Sequence, residues 1–280
     1  MKTFRSKLAM CVAGVNPSLD THSLFDSSYR EPKISAIDEF SVRVRALNVL
    51  APRPDQFDAS QGQLVLLGVI AAVESYLRTL FRRLIYFDPG CQDAVQKRDV
   101  TYGAAIHLEP ELLPEALLER ISFISKENIE KAIKELLGIP GGLPPDVVTV
   151  TEDYVRICQL RHCAVHRFGK LGASNAISLG LSLHGALMEK PLRLDYSALQ
   201  SAIAICSGFV KSLNNFLFNA ILSRVPDGTW SGNYQDDRPK FIAYYSLFAD
   251  KKSATKSPPP KSVYSLFLKQ RASFRANKPF

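Results

Sequence analysis

The feature that most constrains the fold is a long apolar segment, residues 60–87, which contains no proline. Its apolar side chains recur at spacings of three and four, and this pattern predicts one long helix that ends before the sequence DPG at 88–90. The apolar run LVLLGVIAAV at 64–73 is too short to cross a bilayer and is followed by charged residues. We therefore expect a core helix rather than a membrane segment.

Further segments carry helical signals and little strand is expected, which predicts an all-α bundle of four to five long helices. The sequence AISLGLSLHG at 176–185 alternates apolar and small residues, so either a short strand or an extended loop is expected there. The other predicted helices cover 34–51, 112–138 (as one or two helices), about 151–168 with Gly169 as the stop, and 195–224. The predicted organisation is an irregular N-terminal arm at 1–34, a helical domain at 35–225, and a linker with a basic tail at 226–280.

The positive charge of the chain is concentrated in this tail. The net charge is +8, and residues 251–280 contain eight Lys and Arg residues and no Asp or Glu. The rest of the chain is therefore neutral. Two interpretations of the tail stay open: it binds RNA through phosphate contacts and aromatic stacking, or it is a solvated end without a partner. Residues 263–280 have the pattern of a basic amphipathic helix.

The cysteines indicate a reducing compartment. There are five of them, with no CxxC pair and no short framework of the kind that disulfide-rich domains have. We expect free thiols and a cytoplasmic protein. No set of Cys and His residues has a zinc-site spacing, so we expect neither a metal nor another cofactor.

A second feature, the sequence RHCAVHRFG at 161–169, points to a functional site. On a helical wheel Arg161 lies in the middle of an apolar stripe, where an unpaired guanidinium would be costly to bury. Glu74 interrupts the apolar face of the long helix in the same way. An Arg161–Glu74 ion pair would solve both problems, and it would either serve a site or only fix the register of two helices.

His166 stands where this helix should end, so its ring is expected to be accessible. Arg161 and His166 are five residues apart, close enough for both side chains to reach one phosphate. Cleavage of a phosphodiester at a 2′-hydroxyl needs a base, an acid and positive charge, which one such pair does not supply. A two-fold dimer would double the set. His162 is either a second polar group of the site or a side chain that faces solvent.

This sequence resembles the R-x(4–6)-H signature of the HEPN superfamily, and LVLLGVIAAVESYLRTLFRRLI at 64–85 resembles the first long helix of HEPN domains of the RiboL-PSP type. The matching positions are Arg161, His162, His166 and Glu74, within a resemblance that covers about 36–225. The resemblance implies an antiparallel helical bundle that dimerises so that two motifs line one cleft. It also implies that His166 is the base, that Arg161 stabilises the phosphorane, that Glu74 orients Arg161 and that His162 supports the site. His162 replaces the commoner Asn or Asp.

The function that this resemblance implies is metal-independent endoribonuclease activity in a toxin–antitoxin or antiphage defence system. The implied partners are an RNA substrate, a second copy of the chain, and an antitoxin or other defence protein. The alternative is a non-catalytic helical module that binds protein or nucleotide partners, because a fold of this kind does not by itself determine function.

Overall fold

The computed structural model describes Arg5 and residues 8–276 of the chain. Helix accounts for 66% of the structure and no strand occurs among those residues, which confirms the predicted all-α class. The α-helices of this part of the chain are α1 (Ala36–Val49), α2 (Ala59–Phe87), α3 (Pro89–Val95), α4 (Tyr102–His107), α5 (Glu115–Leu118), α6 (Lys126–Leu137), α7 (Pro145–Arg167), α8 (Ala173–Leu179), α9 (Leu181–His184), α10 (Tyr196–Arg224), α11 (Tyr234–Phe248) and α12 (Pro260–Arg275).

The chain divides into two compact units after Lys33. In the first unit the described residues are all exposed, and their only regular element is the 3-10 turn His22–Leu24. The second unit begins at Ile34 and contains all of the α-helices. Its 3-10 turns are Pro54–Gln56, Gly185–Leu187 and Asp227–Thr229.

The long helices agree closely with the sequence pattern. α1, α2 and α10 begin and end within two residues of the predicted segments, because polar caps define their N-termini. The Asp58 carboxylate, for example, accepts a hydrogen bond from the Gln61 amide at 2.7 Å at the start of α2. α7 begins earlier than predicted, at Pro145, since proline suits the first helical position, where no amide donor is needed.

The segment 176–185 was predicted as a strand or an extended loop, and this prediction is wrong. It forms most of α8 and all of α9, which are separated by Gly180 in a backbone conformation with φ 104°. Ile177, Leu181 and Leu183, which create the alternation, are all exposed, so the alternation does not reflect one buried face of a strand.

The core of the second unit forms around α2 and α10, which pack against each other and against α1 and α7. Two buried polar side chains connect the central helices. The Tyr76 hydroxyl donates to the Asn214 side-chain oxygen at 3.1 Å, and the Asn214 amide donates to the Phe248 carbonyl at 3.0 Å. Because each of these buried groups has a partner, the contact fixes the register of α2, α10 and α11 without an unsatisfied donor.

Both central helices are also long and apolar enough to cross a membrane, judged by length and composition alone. Within their most apolar windows, 61% of α2 and 44% of α10 is buried inside the structure. Helices at the centre of a packed protein pass the same test of length and composition.

Asp88 forms a buried junction at the end of α2. Its carboxylate accepts hydrogen bonds from the Arg224 guanidinium, from the Tyr244 hydroxyl at 3.0 Å and from the Cys91 amide at 3.0 Å. The side chain of Arg224 also donates to the Leu137 carbonyl. One carboxylate therefore connects α3, α10 and α11, and through Arg224 it also reaches the end of α6.

The segment 226–276, predicted as a linker and tail, contains α11 and α12, which pack against each other. Tyr264 is buried and its hydroxyl donates to the Asp237 carboxylate at 2.5 Å, while the ring of Phe267 contacts that of Trp230. Arg271 pairs with Asp227. The interpretation as a solvated end is therefore wrong for residues 260–275, whose apolar face is packed; Lys278 lies outside the described residues.

Candidate functional site

The three motif residues Arg161, His162 and His166 all lie on the last two turns of α7. The helix ends at Arg167 because Phe168 and Gly169 both adopt left-handed conformations, with φ 49° and 86°. Glycine at such a position is common, since it has no Cβ to clash with the preceding carbonyl. The predicted stop at Gly169 is thus one residue later than the observed change of direction.

The structure brings the two histidines together. His162 and His166 are one helical turn apart, and their ring centroids are separated by 4.6 Å with an interplanar angle of 52°. His166 is exposed and His162 is half-buried. His162 therefore does not simply face solvent, which was one of the two interpretations left open by the sequence. The two imidazoles together can offer both a proton acceptor and a proton donor on one surface.

The predicted Arg161–Glu74 ion pair is not formed. Among the described residues neither side chain makes an ion pair or a hydrogen bond, and both are half-buried. The physical reason is that the apolar stripe around Arg161 is buried only towards the N-terminal side. Val165 and Phe168, on the other side of it, are 48% and 92% exposed. Water can therefore solvate the guanidinium, and no buried carboxylate is required.

Arg161 and Glu74 nevertheless both act on the same buried thiol. Burial raises the pKa of Cys158 to about 12; the neighbouring Tyr154 hydroxyl and the positive charge of Arg161 lower it, and the Glu74 carboxylate raises it. Cys158 consequently stays a neutral thiol near neutral pH. Because a thiolate is the reactive form, Cys158 is not a nucleophile in this structure, and the histidines are the groups available for proton transfer.

Two stacked aromatic rings lie behind the site. The ring of Tyr154 on α7 stacks on Phe209 of α10 with centroids 4.4 Å apart and an interplanar angle of 1°. The Tyr154 hydroxyl is fully buried and has no hydrogen-bond partner among the described residues. Burial raises its pKa, and the neighbouring Cys158 and Glu74 raise it further. This hydroxyl therefore stays protonated and fills space between the helices.

Two residues of this region were missed by the sequence analysis. Arg167 pairs with Glu189, which fastens the end of α7 to the segment after α9; no short-range pattern indicates a contact across 22 positions. On a helical wheel Phe168 falls in the apolar stripe around Arg161, but its side chain is 92% exposed. An aromatic residue directly before the helix-stopping glycine was the only available signal.

No group of three or more His, Cys, Asp or Glu residues that could hold a metal ion occurs in the described part of the chain. The comparisons with known proteins add no assignment: no protein-family model, no curated protein and no solved structure matches this chain.

Phe168 provides a test of whether the left-handed backbone at the end of α7 lowers the stability of the fold. A residue with a Cβ is destabilised by roughly 1–2 kcal/mol in the left-handed region. Substitution by glycine recovers only part of this energy, because glycine loses more conformational entropy on folding. We expect Phe168→Gly to raise the free energy of unfolding by about 0.5–1 kcal/mol, measured by urea denaturation. Phe168→Ala is the matched control, since it removes the ring but keeps the backbone penalty. A gain of stability in both variants would show that the ring itself is unfavourable.

Proposed function

We propose that the chain is a metal-independent endoribonuclease of the HEPN type, which cleaves RNA by attack of a 2′-hydroxyl on the adjacent phosphate. The observation that carries this proposal is the contact between the His162 and His166 rings, on the same two helical turns as the half-buried Arg161, which pairs with no described residue. An endoribonuclease of this kind needs two proton-transfer groups and one cation, and these three side chains are of the right types.

The roles follow from exposure and charge. His166 is the more exposed imidazole and accepts the proton of the 2′-hydroxyl. Arg161 has no carboxylate partner among the described residues, so its charge is available to the phosphate oxygens in the pentavalent state. The ring of His162 contacts that of His166. His162 therefore either protonates the leaving oxygen or orients the His166 imidazole. Glu74 makes no ion pair with Arg161, but both charges act on the buried Cys158 thiol one turn before the motif.

A composite site in a dimer is part of the proposal. Several large apolar side chains around the end of α7 are exposed, as expected for a surface that a second copy covers. They are Val165 and Phe168 at the end of α7, and Ile177, Leu181, Leu183 and Leu187 in the segment after it. Two copies that meet here would bring two motifs to one cleft and double the number of catalytic groups.

The finer fold assignment also belongs to the proposal. We assign α1, α2, α6, α7 and α10 to an antiparallel HEPN-like bundle, with α2 and α7 supplying the site residues. A role in a toxin–antitoxin or antiphage system, an antitoxin or other defence partner, and a cytoplasmic location follow from the resemblance of RHCAVHRFG to that superfamily and from the free cysteines.

The decisive experiment is an RNA cleavage assay with the purified chain in EDTA. We expect cleavage products that end in a 2′,3′-cyclic phosphate or its hydrolysis product, since the 2′-oxygen is the nucleophile and no metal takes part. A requirement for Mg²⁺, or products with a free 3′-hydroxyl, would contradict the proposal, because both indicate an activated water as the nucleophile.

A non-catalytic binding module is the second candidate. The observation that favours it is an apolar pocket beside α7, lined in part by Leu160, Cys163 and Gly169. If the chain leaves mixed RNA intact in EDTA and in Mg²⁺, but retains a bound partner, this candidate replaces the nuclease.

A further inference from the structure

The pocket beside α7 has the size and lining of a small-molecule site. Its volume is about 610 Å³, within the roughly 300–1,000 Å³ that ligand pockets have. Five leucines, Cys163 and Pro191 supply most of its lining. The leucines come from both sides of the pocket: Leu160 from α7, and Leu171, Leu179, Leu187 and Leu192 from the segment that follows it.

Backbone hydrogen bonds hold this pocket in shape. The Leu171 amide donates to the Lys190 carbonyl at 3.0 Å, and the Leu192 amide donates to the Gly169 carbonyl at 2.8 Å. The buried Asn175 also donates from its side chain to that of Gln159 on α7 at 2.9 Å. The walls are therefore formed before a ligand arrives, which lowers the entropic cost of binding.

The charged residues of the lining all have one sign. They are Lys190 and Arg193, and no acidic residue is part of the described lining. Lys190 and Arg193 are exposed and make no ion pair with a described residue. The nearest carboxylates in sequence are engaged elsewhere, since Glu189 pairs with Arg167 and Asp195 accepts the Ala198 amide at the start of α10.

His184 is held in place at this pocket. Its Nδ1 lies 3.0 Å from the Gly180 carbonyl, so Nδ1 donates and Nε2 is the nitrogen that remains for another partner. The pocket thus combines an apolar interior with two unpaired cations and one oriented imidazole.

We propose that this pocket binds an amphipathic anion: a small molecule with an apolar body and a carboxylate head. The leucines take the apolar body out of water, and Arg193 and Lys190 pair with the head. A cationic head group would be repelled by these basic residues. The inference does not depend on nuclease activity, although Cys163 and Gly169 of the RHCAVHRFG sequence line the same pocket.

The test is isothermal titration calorimetry on the full chain with sodium decanoate below its micelle concentration. We expect saturable binding of decanoate and no comparable binding of decyltrimethylammonium, which has the same alkyl chain with a cationic head. Arg193→Glu should weaken decanoate binding by about tenfold, the value of one charge-assisted contact. Arg193 is exposed and unpaired, so this variant is expected to fold.

Lys211→Glu is the matched control, because it makes the same charge change at an exposed position of α10 away from the pocket. Unaltered decanoate affinity in Arg193→Glu, equal affinity for the two head groups, or no saturable binding would each overturn the proposal. So would decanoate binding that disappears as the protein dimerises with rising concentration, since the pocket would then belong to the interface between copies.

Discussion

Replacing His166 with alanine is expected to lower the rate of RNA cleavage by about 10²–10⁴-fold, the range that a positioned proton-transfer group supplies. His166 is the exposed member of the two-histidine contact, and only the half-buried His162 imidazole remains there once His166 is removed. The measurement is the single-turnover cleavage rate of a labelled RNA in EDTA, with the products resolved by end-group chemistry.

His107→Ala is the matched control. His107 is also an exposed histidine in the last turn of a helix, and it lies outside the motif. We expect His107→Ala to cleave at the wild-type rate. His166→Ala should keep the wild-type stability and oligomeric state, because the His166 side chain is exposed. Equal rates in His166→Ala and in the unaltered protein would remove His166 as the base and with it the proposed mechanism.

Asp88→Ala is expected to lower the free energy of unfolding by roughly 3–5 kcal/mol, the cost of removing one partner from a buried ion pair. The Asp88 side chain is almost fully buried, and it satisfies the Arg224 guanidinium, the Tyr244 hydroxyl and the Cys91 amide. Alanine would leave a largely buried cation and a buried hydroxyl without that partner. Urea denaturation followed by circular dichroism measures the loss.

Asp58→Ala is the control that measures how much free energy of unfolding is lost when only a helix N-cap is removed. Asp58 also accepts an amide hydrogen bond at a helix N-terminus, but it is exposed and bonds to no second element of the fold. Its replacement should cost only about 1 kcal/mol. Similar losses in the two variants would mean that the junction around Asp88 contributes nothing beyond capping.

The long helices were predictable because their signals are local. Asp58 at the start of α2, Asp195 at the start of α10 and apolar residues at helical spacing all lie within the segments themselves. α8 and α9 were not predictable in this way. Their leucines alternate as in a strand, yet several of them are exposed, and the turn between the helices depends on Gly180 at positive φ.

The candidate site was predictable in its residue types but not in its contacts. The spacing of four between His162 and His166 guarantees that their rings are neighbours on any helix. Whether Arg161 and Glu74 touch depends instead on how α2 and α7 cross and on how much of each face is covered. The wheel placed Arg161 in an apolar stripe correctly, but it could not show that half of this stripe is open to water.

The paired backbone at Gly169 and Leu192 has a consequence for how such a chain can vary. The segment between these two positions starts and ends at neighbouring points of the backbone, because the Leu192 amide donates to the Gly169 carbonyl. Its length and composition can therefore change while the helices on either side keep their positions. A laboratory chimera that exchanges only this segment would change the lining of the pocket beside α7 and leave α7 and α10 in place.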